Sequence, residues 1–138
     1  MSDSGAFLDV TGTYELTGSE GYEEYLESIG VDPTNRKDMA SAQQTVEIKQ
    51  VGDFYTLTTT TPAKKMTSQF TLGQEYFELY DDGRQYHGIC RRDGGRVIQQ
   101  LKVGGLQTTV LRDFSDEGIE ITFMGVNTAA KRTYKRLS

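Results

Sequence analysis

The chain has 138 residues and a formal net charge of −5, with 36% apolar and 25% charged residues. That length fits one domain with room for a core or a cavity, and no basic cluster is large enough for a nucleic-acid footprint. A single cysteine, Cys90, excludes an intramolecular disulfide, and no apolar run is long enough to span a membrane or form a signal-peptide core. The expectation is a soluble, cytoplasmic protein.

Residues 1–8 read as a flexible N-terminal tail, with the domain over 9–138. A strand is predicted over 9–16, with Val10, Tyr14 and Leu16 among its apolar residues. The period then changes. Tyr22, Tyr25, Leu26 and Ile29 fall at i, i+3, i+4 and i+7, one face of a helix. Ser19 is the candidate N-cap and Gly30 the stop. Pro33 suits the first turn of a second short helix over 34–42, so the helical region covers about 20–42.

From Gln43 the pattern is strand, turn, strand. Alternation and turn residues predict strands over 44–50, 54–61, 66–72, 76–80, 84–91, 96–102, 107–112, 119–124 and 128–136. Asp93-Gly94-Gly95 is the strongest hairpin signal, because glycine adopts positive φ without steric cost. About ten antiparallel strands in one domain need closure or a sandwich to remove their edges. Short turns favour a barrel whose sequential strands are neighbours.

Residues two apart on a strand share a face. Arg132 and Tyr134 therefore point one way, and Val110 and Arg112 share another face. If both faces line one cavity, two guanidiniums and a phenol aim inward. Buried charge is costly unless paired, so an anionic ligand head is the natural partner.

Several blocks resemble the intracellular lipid-binding family, and within it the fatty-acid-binding proteins. They are Gly12-Thr13-Tyr14-Glu15-Leu16, then Gly21-Tyr22-Glu23-Glu24-Tyr25-Leu26, and Phe70-Thr71-Leu72-Gly73-Gln74-Glu75-Tyr76. Asp93-Gly94-Gly95, Thr108-Thr109-Val110-Leu111-Arg112 and Arg132-Thr133-Tyr134 complete the ordered set. Gly21 departs from the Asn or His common at that position.

The resemblance implies an all-β fold: a ten-stranded antiparallel up-and-down barrel (a clam), capped by a helix-turn-helix lid. It implies a cytosolic carrier that holds a long-chain fatty acid non-covalently, its carboxylate bound by Arg112, Arg132 and Tyr134. Retinol-binding relatives commonly carry Gln at the Arg112 position, so the arginine favours an acid. Another hydrophobic carboxylate stays open as the cargo: retinoic acid, a bile acid or a bilirubin-like tetrapyrrole. Cavity-lining roles fall to Tyr22, Tyr25, Leu26, Phe70, Tyr76, Arg84, Val110, Ile121 and Phe123. Ala63 and Lys64 fall at the portal, where many relatives carry a gating Phe in place of Ala63.

No catalytic function is expected. His87 is the only histidine and lacks a Gly-x-Ser-x-Gly or metal-ligand cluster around it. Cys90 reads as an inert buried thiol. The pairs Glu23-Glu24 and Asp81-Asp82 read as a solvated helix face and a turn. Lys64-Lys65 is a small basic pair for transient contact with a membrane surface. No metal or cofactor is expected, and the protein is expected to be a monomer.

Overall fold

The computed structural model describes residues 9–80 and 82–138. The expected tail, 1–8, and Asp81 of the acidic pair lie outside the described residues. The elements in order are β1 (Gly12–Glu20), α1 (Tyr22–Ser28), α2 (Pro33–Ser41), β2 (Thr45–Val51), β3 (Phe54–Thr60) and β4 (Lys65–Thr71). There follow β5 (Tyr76–Leu79), β6 (Gln85–Asp93), β7 (Arg96–Val103), β8 (Leu106–Phe114), β9 (Gly118–Met124) and β10 (Ala129–Arg136).

The strands form one antiparallel sheet in the order β4-β3-β2-β1-β10-β9-β8-β7-β6-β5. Every neighbour is sequential except β1 and β10, whose pairing curls the sheet into a nearly closed barrel. The driving pattern is period-two alternation. In β10 Ala130, Arg132 and Tyr134 are buried, while Lys131, Thr133 and Lys135 face out. In β7 Val97, Gln99, Leu101 and Val103 point in.

β1 differs from the expected strand over 9–16: it starts later and runs to Glu20. An irregularity between Leu16 and Gly18 shifts its register against β10, and pairing resumes as Ser19↔Arg132 and Glu20↔Lys131. Ser19 is therefore a strand residue and not a helix cap. The N-cap of α1 is Gly21 at φ 73°, with no side-chain cap bond. Its close approach to the Ala129 carbonyl leaves little room for a Cβ.

Gly30 ends α1 as expected. It adopts φ 87°, its N–H donates to the Glu27 carbonyl, and Val31 N–H donates to the Leu26 carbonyl. Those two bonds are a Schellman stop. Asp32 then caps α2, its carboxylate accepting from Asn35 N–H at 3.2 Å, with Pro33 in the first turn. α2 buries none of its residues. It is tied down by Arg36, which reaches the Val31 carbonyl at 3.1 Å and Glu27 of α1 at 3.5 Å. α1 does the covering, burying Tyr22, Tyr25 and Leu26, with Ile29 beyond its end.

Antiparallel order puts the β3–β4, β5–β6, β7–β8 and β9–β10 turns at the end of the barrel that the helices cap. No backbone ladder joins β4 to β5. Side chains span that interval. Glu78 of β5 accepts from Ser68 Oγ at 2.5 Å and from the Gln69 N–H at 2.8 Å, both on β4. Phe70 and Tyr76 stack across it at 6.0 Å.

Candidate functional site

The inward faces enclose a cavity of about 170 Å³, room for several water molecules. Its walls are largely apolar: Val46, Ile48, Leu57, Phe70, Leu101, Val110, Ile119, Ile121 and Phe123 all contribute. Tyr22 of α1 closes it from the lid side, with its ring 4.9 Å from Phe123. Arg112, Tyr134, Gln44, Gln99 and Glu78 supply the polar points.

Register brings the two arginines together. Ile121 of β9 pairs with Arg112 of β8 on one side and with Arg132 of β10 on the other. Neighbouring strands lie roughly 4.8 Å apart, so the two backbones stand about two strand spacings apart on one wall. Tyr134 follows on the same face as Arg132.

Arg132 is 1% exposed. Its Nε donates to Ser19 Oγ at 3.0 Å and its Nη2 to the Ala40 carbonyl at 3.3 Å. Its guanidinium lies 3.9 Å above the Tyr22 ring. Among the described residues no carboxylate forms an ion pair with it or with Arg112. Arg112 Nη1 donates instead to Gln99 Oε1 at 2.7 Å. Tyr134 donates to Gln44 Oε1. Both guanidiniums are thus bonded to neutral acceptors; Arg112 and Tyr134 line the cavity, whereas Arg132 lies behind its wall, under the Tyr22 ring.

Of the expected lining residues, Tyr22, Phe70, Val110, Ile121 and Phe123 border the cavity beside Arg112 and Tyr134. Tyr25, Leu26 and Tyr76 pack behind that wall. Tyr25 is fully buried, its hydroxyl 2.9 Å from Thr108 Oγ1, and burial pushes its phenol pKa up. Tyr76 lies over Gly88, where an added Cβ would come within 2.8 Å of its ring and hydroxyl.

Arg84 sits away from the cavity wall. Its Nε donates to Asp82 at 2.7 Å. Its Nη1 lies 3.2 Å from where a Cβ on Gly30 would sit and 3.1 Å from one on Gly104. The side chain therefore fills the junction between the lid and two turns. Ala63 and Lys64 occupy the β3–β4 turn at the lid end, closed by Thr61 N–H donating to the Lys64 carbonyl at 2.8 Å.

Gln44, Gln99, Glu78 and Tyr86 are polar site residues that motif reading passes over. Gln99 carried a signal, since it stands in phase with buried Val97 and Leu101. Burial pushes Tyr76 strongly up and Tyr86 up to about 12. Cys90 is fully buried, and burial pushes its thiol up to about 11. His87 lies on the outer face, 3.1 Å from Glu75 and stacked on Phe77 at 4.9 Å. No cluster able to hold a metal occurs among the described residues, and none of their helices is long and apolar enough to cross a membrane.

A lidded ten-stranded barrel around an apolar cavity with recessed cations is the architecture of a small-lipid carrier. The chain matches the lipocalin / cytosolic fatty-acid binding protein family over residues 11–127, and it belongs to that family. It is 31% identical over 129 residues to a fatty acid-binding protein of Tyrophagus putrescentiae, covering 94% of this chain and 98% of that one. It is 33% identical over 129 residues to the sodium/calcium exchanger regulatory protein 1 of Doryteuthis pealeii, covering 94% and 97%. A crystal structure of a fatty-acid-binding protein from Drosophila melanogaster brain superimposes with a TM-score of 0.84 at 38% identity, covering 93% and 99%. The family is one of lipid-binding carriers and not of enzymes.

Proposed function

We propose that the protein carries long-chain fatty acids, with the carboxylate held by Arg132, Tyr134 and Arg112 and the tail lying against Phe70, Val110, Ile121 and Phe123. The observation that carries this reading is Arg132: a fully buried guanidinium with only neutral partners among the described residues, two residues along β10 from Tyr134, which lines the cavity. A planar guanidinium matches a carboxylate, and the phenol adds a hydrogen bond. Each buried methylene contributes about 0.8 kcal/mol, so a tail of about sixteen carbons offers on the order of ten kcal/mol before ordering costs. The tail supplies affinity, and the arginines supply orientation and choice of head group.

In this reading the carrier works as a cytoplasmic monomer, filled through the lid end beside Ala63 and Lys64. Lys64-Lys65 makes the transient contact with anionic membrane surfaces. The names of its relatives support the lipid cargo.

The test is Arg132→Ala combined with Tyr134→Phe, measured by calorimetry with hexadecanoate. Affinity falls while circular dichroism keeps the barrel signature. An unchanged affinity removes the carboxylate-site claim. Native mass spectrometry of the purified protein then identifies the cargo, a bile acid, retinoic acid or tetrapyrrole being the rival outcome.

A further inference from the structure

β5 turns two large apolar side chains to solvent. Tyr76 and Glu78 point inward, so Phe77 and Leu79 share the outer face, 65% and 63% exposed. Their neighbours on that face are basic. Phe77 pairs with His87 of β6, and His87 pairs with Lys102 of β7, so the Lys102 backbone stands about two strand spacings from that of Phe77. Lys102 is exposed and forms no ion pair among the described residues. On the other side, Glu78 accepts from Ser68 Oγ and the Gln69 N–H, which sets the outer face of β4 beside that of β5. That face leads to Lys65, and then to Lys64 in the turn at the lid end, both exposed.

The nearby acids are engaged or turned inward. Among the described residues, Glu75 meets His87 at 3.1 Å, Asp82 is held by Arg84 at 2.7 Å, and Glu78 borders the cavity. The lid is the reverse in both respects. α1 carries Glu23, Glu24 and Glu27 and neither lysine nor arginine, and no large apolar side chain is exposed on either helix. An anionic surface is therefore repelled at α1 and attracted at the outer face of β4, β5 and β7. Phe77 and Leu79 stand out from a convex wall, which suits a deformable surface. Strand addition is closed off, because β4 and β5 turn their free edges toward each other.

We propose that the outer face of β4, β5 and β7 is a docking surface for anionic membranes: Phe77 and Leu79 enter the headgroup boundary while Lys64, Lys65 and Lys102 meet the lipid phosphates around them. This rests on the membrane contact read from Lys64-Lys65, and it makes that contact side-on, across the β4–β5 interval, instead of through the helices. Aromatic and aliphatic side chains anchor at the interface, and each basic residue adds an attraction that salt screens.

The chain holds no tryptophan, so a single introduced one reports insertion without background. Leu79→Trp is compared with Val51→Trp, an exposed apolar position where β2 ends, away from the lid. With vesicles of phosphatidylcholine and phosphatidylserine, L79W emission shifts to the blue and V51W emission does not. Lys102→Gln lowers cosedimentation with these vesicles about fivefold in partition constant, the worth of one basic residue at an anionic surface. Pure phosphatidylcholine erases the difference. Lys65→Gln carries the same measurement if K102Q folds poorly. An L79W shift that is absent, or matched at V51W, overturns the proposal, as does a lysine variant that partitions like the wild type. So does an L79W shift produced by polyglutamate and not by vesicles, which assigns the face to an acidic protein. Calorimetry with hexadecanoate keeps the two readings apart: a wild type without affinity sinks the carrier reading, and the docking face stands or falls on the vesicles.

Discussion

Arg132 and Ser19 are cross-strand partners on β10 and β1, joined by a 3.0 Å bond from Nε to Oγ. A neutral hydroxyl and one backbone carbonyl are modest compensation for a guanidinium that is 1% exposed. Desolvating a charge costs several kcal/mol, and replacing a buried charge by an apolar side chain of similar size is often neutral or stabilising. Arg132→Met is therefore expected to raise the stability of the ligand-free protein by about 1 kcal/mol. The same variant should lose most of the extra stability that hexadecanoate gives the wild type. Urea unfolding with and without ligand reads both. A ligand-free variant that unfolds more easily than the wild type counts against the view that this cation is kept for function.

Burial of Cys90 and Tyr86 makes stability depend on alkaline pH. The Cys90 thiol moves from 9.0 to about 11 and the Tyr86 phenol from 10.0 to about 12, burial being the main cause for both. Both groups ionise first in the unfolded chain, which then holds fewer protons than the folded one. Their contribution is whole below the unfolded values and is lost as pH rises through the folded ones. Each group removes about 1.4 kcal/mol per pH unit across its own window. Urea midpoints should fall steadily above about pH 9, and less steeply in Cys90→Ala. A flat profile to pH 11 contradicts the buried-thiol assignment.

Gly118 of β9 lies hard against β10, opposite Lys135. A Cβ built there would stand 1.9 Å from the Tyr134 carbonyl oxygen, a backbone atom that can move only with its strand. Gly118→Ala is expected to cost about 3 kcal/mol, at the upper end for overpacking. Because the displaced residue is Tyr134, hexadecanoate affinity should fall as well. Full wild-type stability in this variant would mean that the two strands are free to separate.

Arg84 packs under the lid. Its guanidinium sits between Gly30, where α1 stops, and Gly104 in the β7–β8 turn, and Asp82 holds it there. Arg84→Ala is expected to speed ligand release about three- to tenfold, the worth of roughly 1 kcal/mol. Stopped-flow dissociation of a fluorescent fatty acid measures the rate. An unaltered rate assigns ligand exit to some other part of the barrel.

Much of the molecule could be read from residue order, because alternation is local. The phase that puts Arg132 and Tyr134 on one face is visible in five residues. The end of β1 was not visible, because Thr17-Gly18-Ser19-Glu20-Gly21 has the composition of a turn and helix start. Ser19 joins the strand by pairing with Arg132, 113 residues away, which also bonds its hydroxyl. Arg84 shares the parity of inward-facing Tyr86, yet it belongs to the preceding turn, and Asp82 draws it toward the lid. Glu78 stands in phase with Tyr76, but its partners Ser68 and Tyr86 come from two other strands. Contacts of that kind leave no periodic trace.

The interval between β4 and β5 carries a hazard. Two strand edges with unpaired backbone groups face each other there, and such edges are templates for pairing with another chain. Here each edge shields the other, with one carboxylate bridging them. A substitution that parts them would expose two adhesive edges on the same molecule. The first symptom of damage at Glu78 would then be self-association, seen as growing particle size before any loss of cargo.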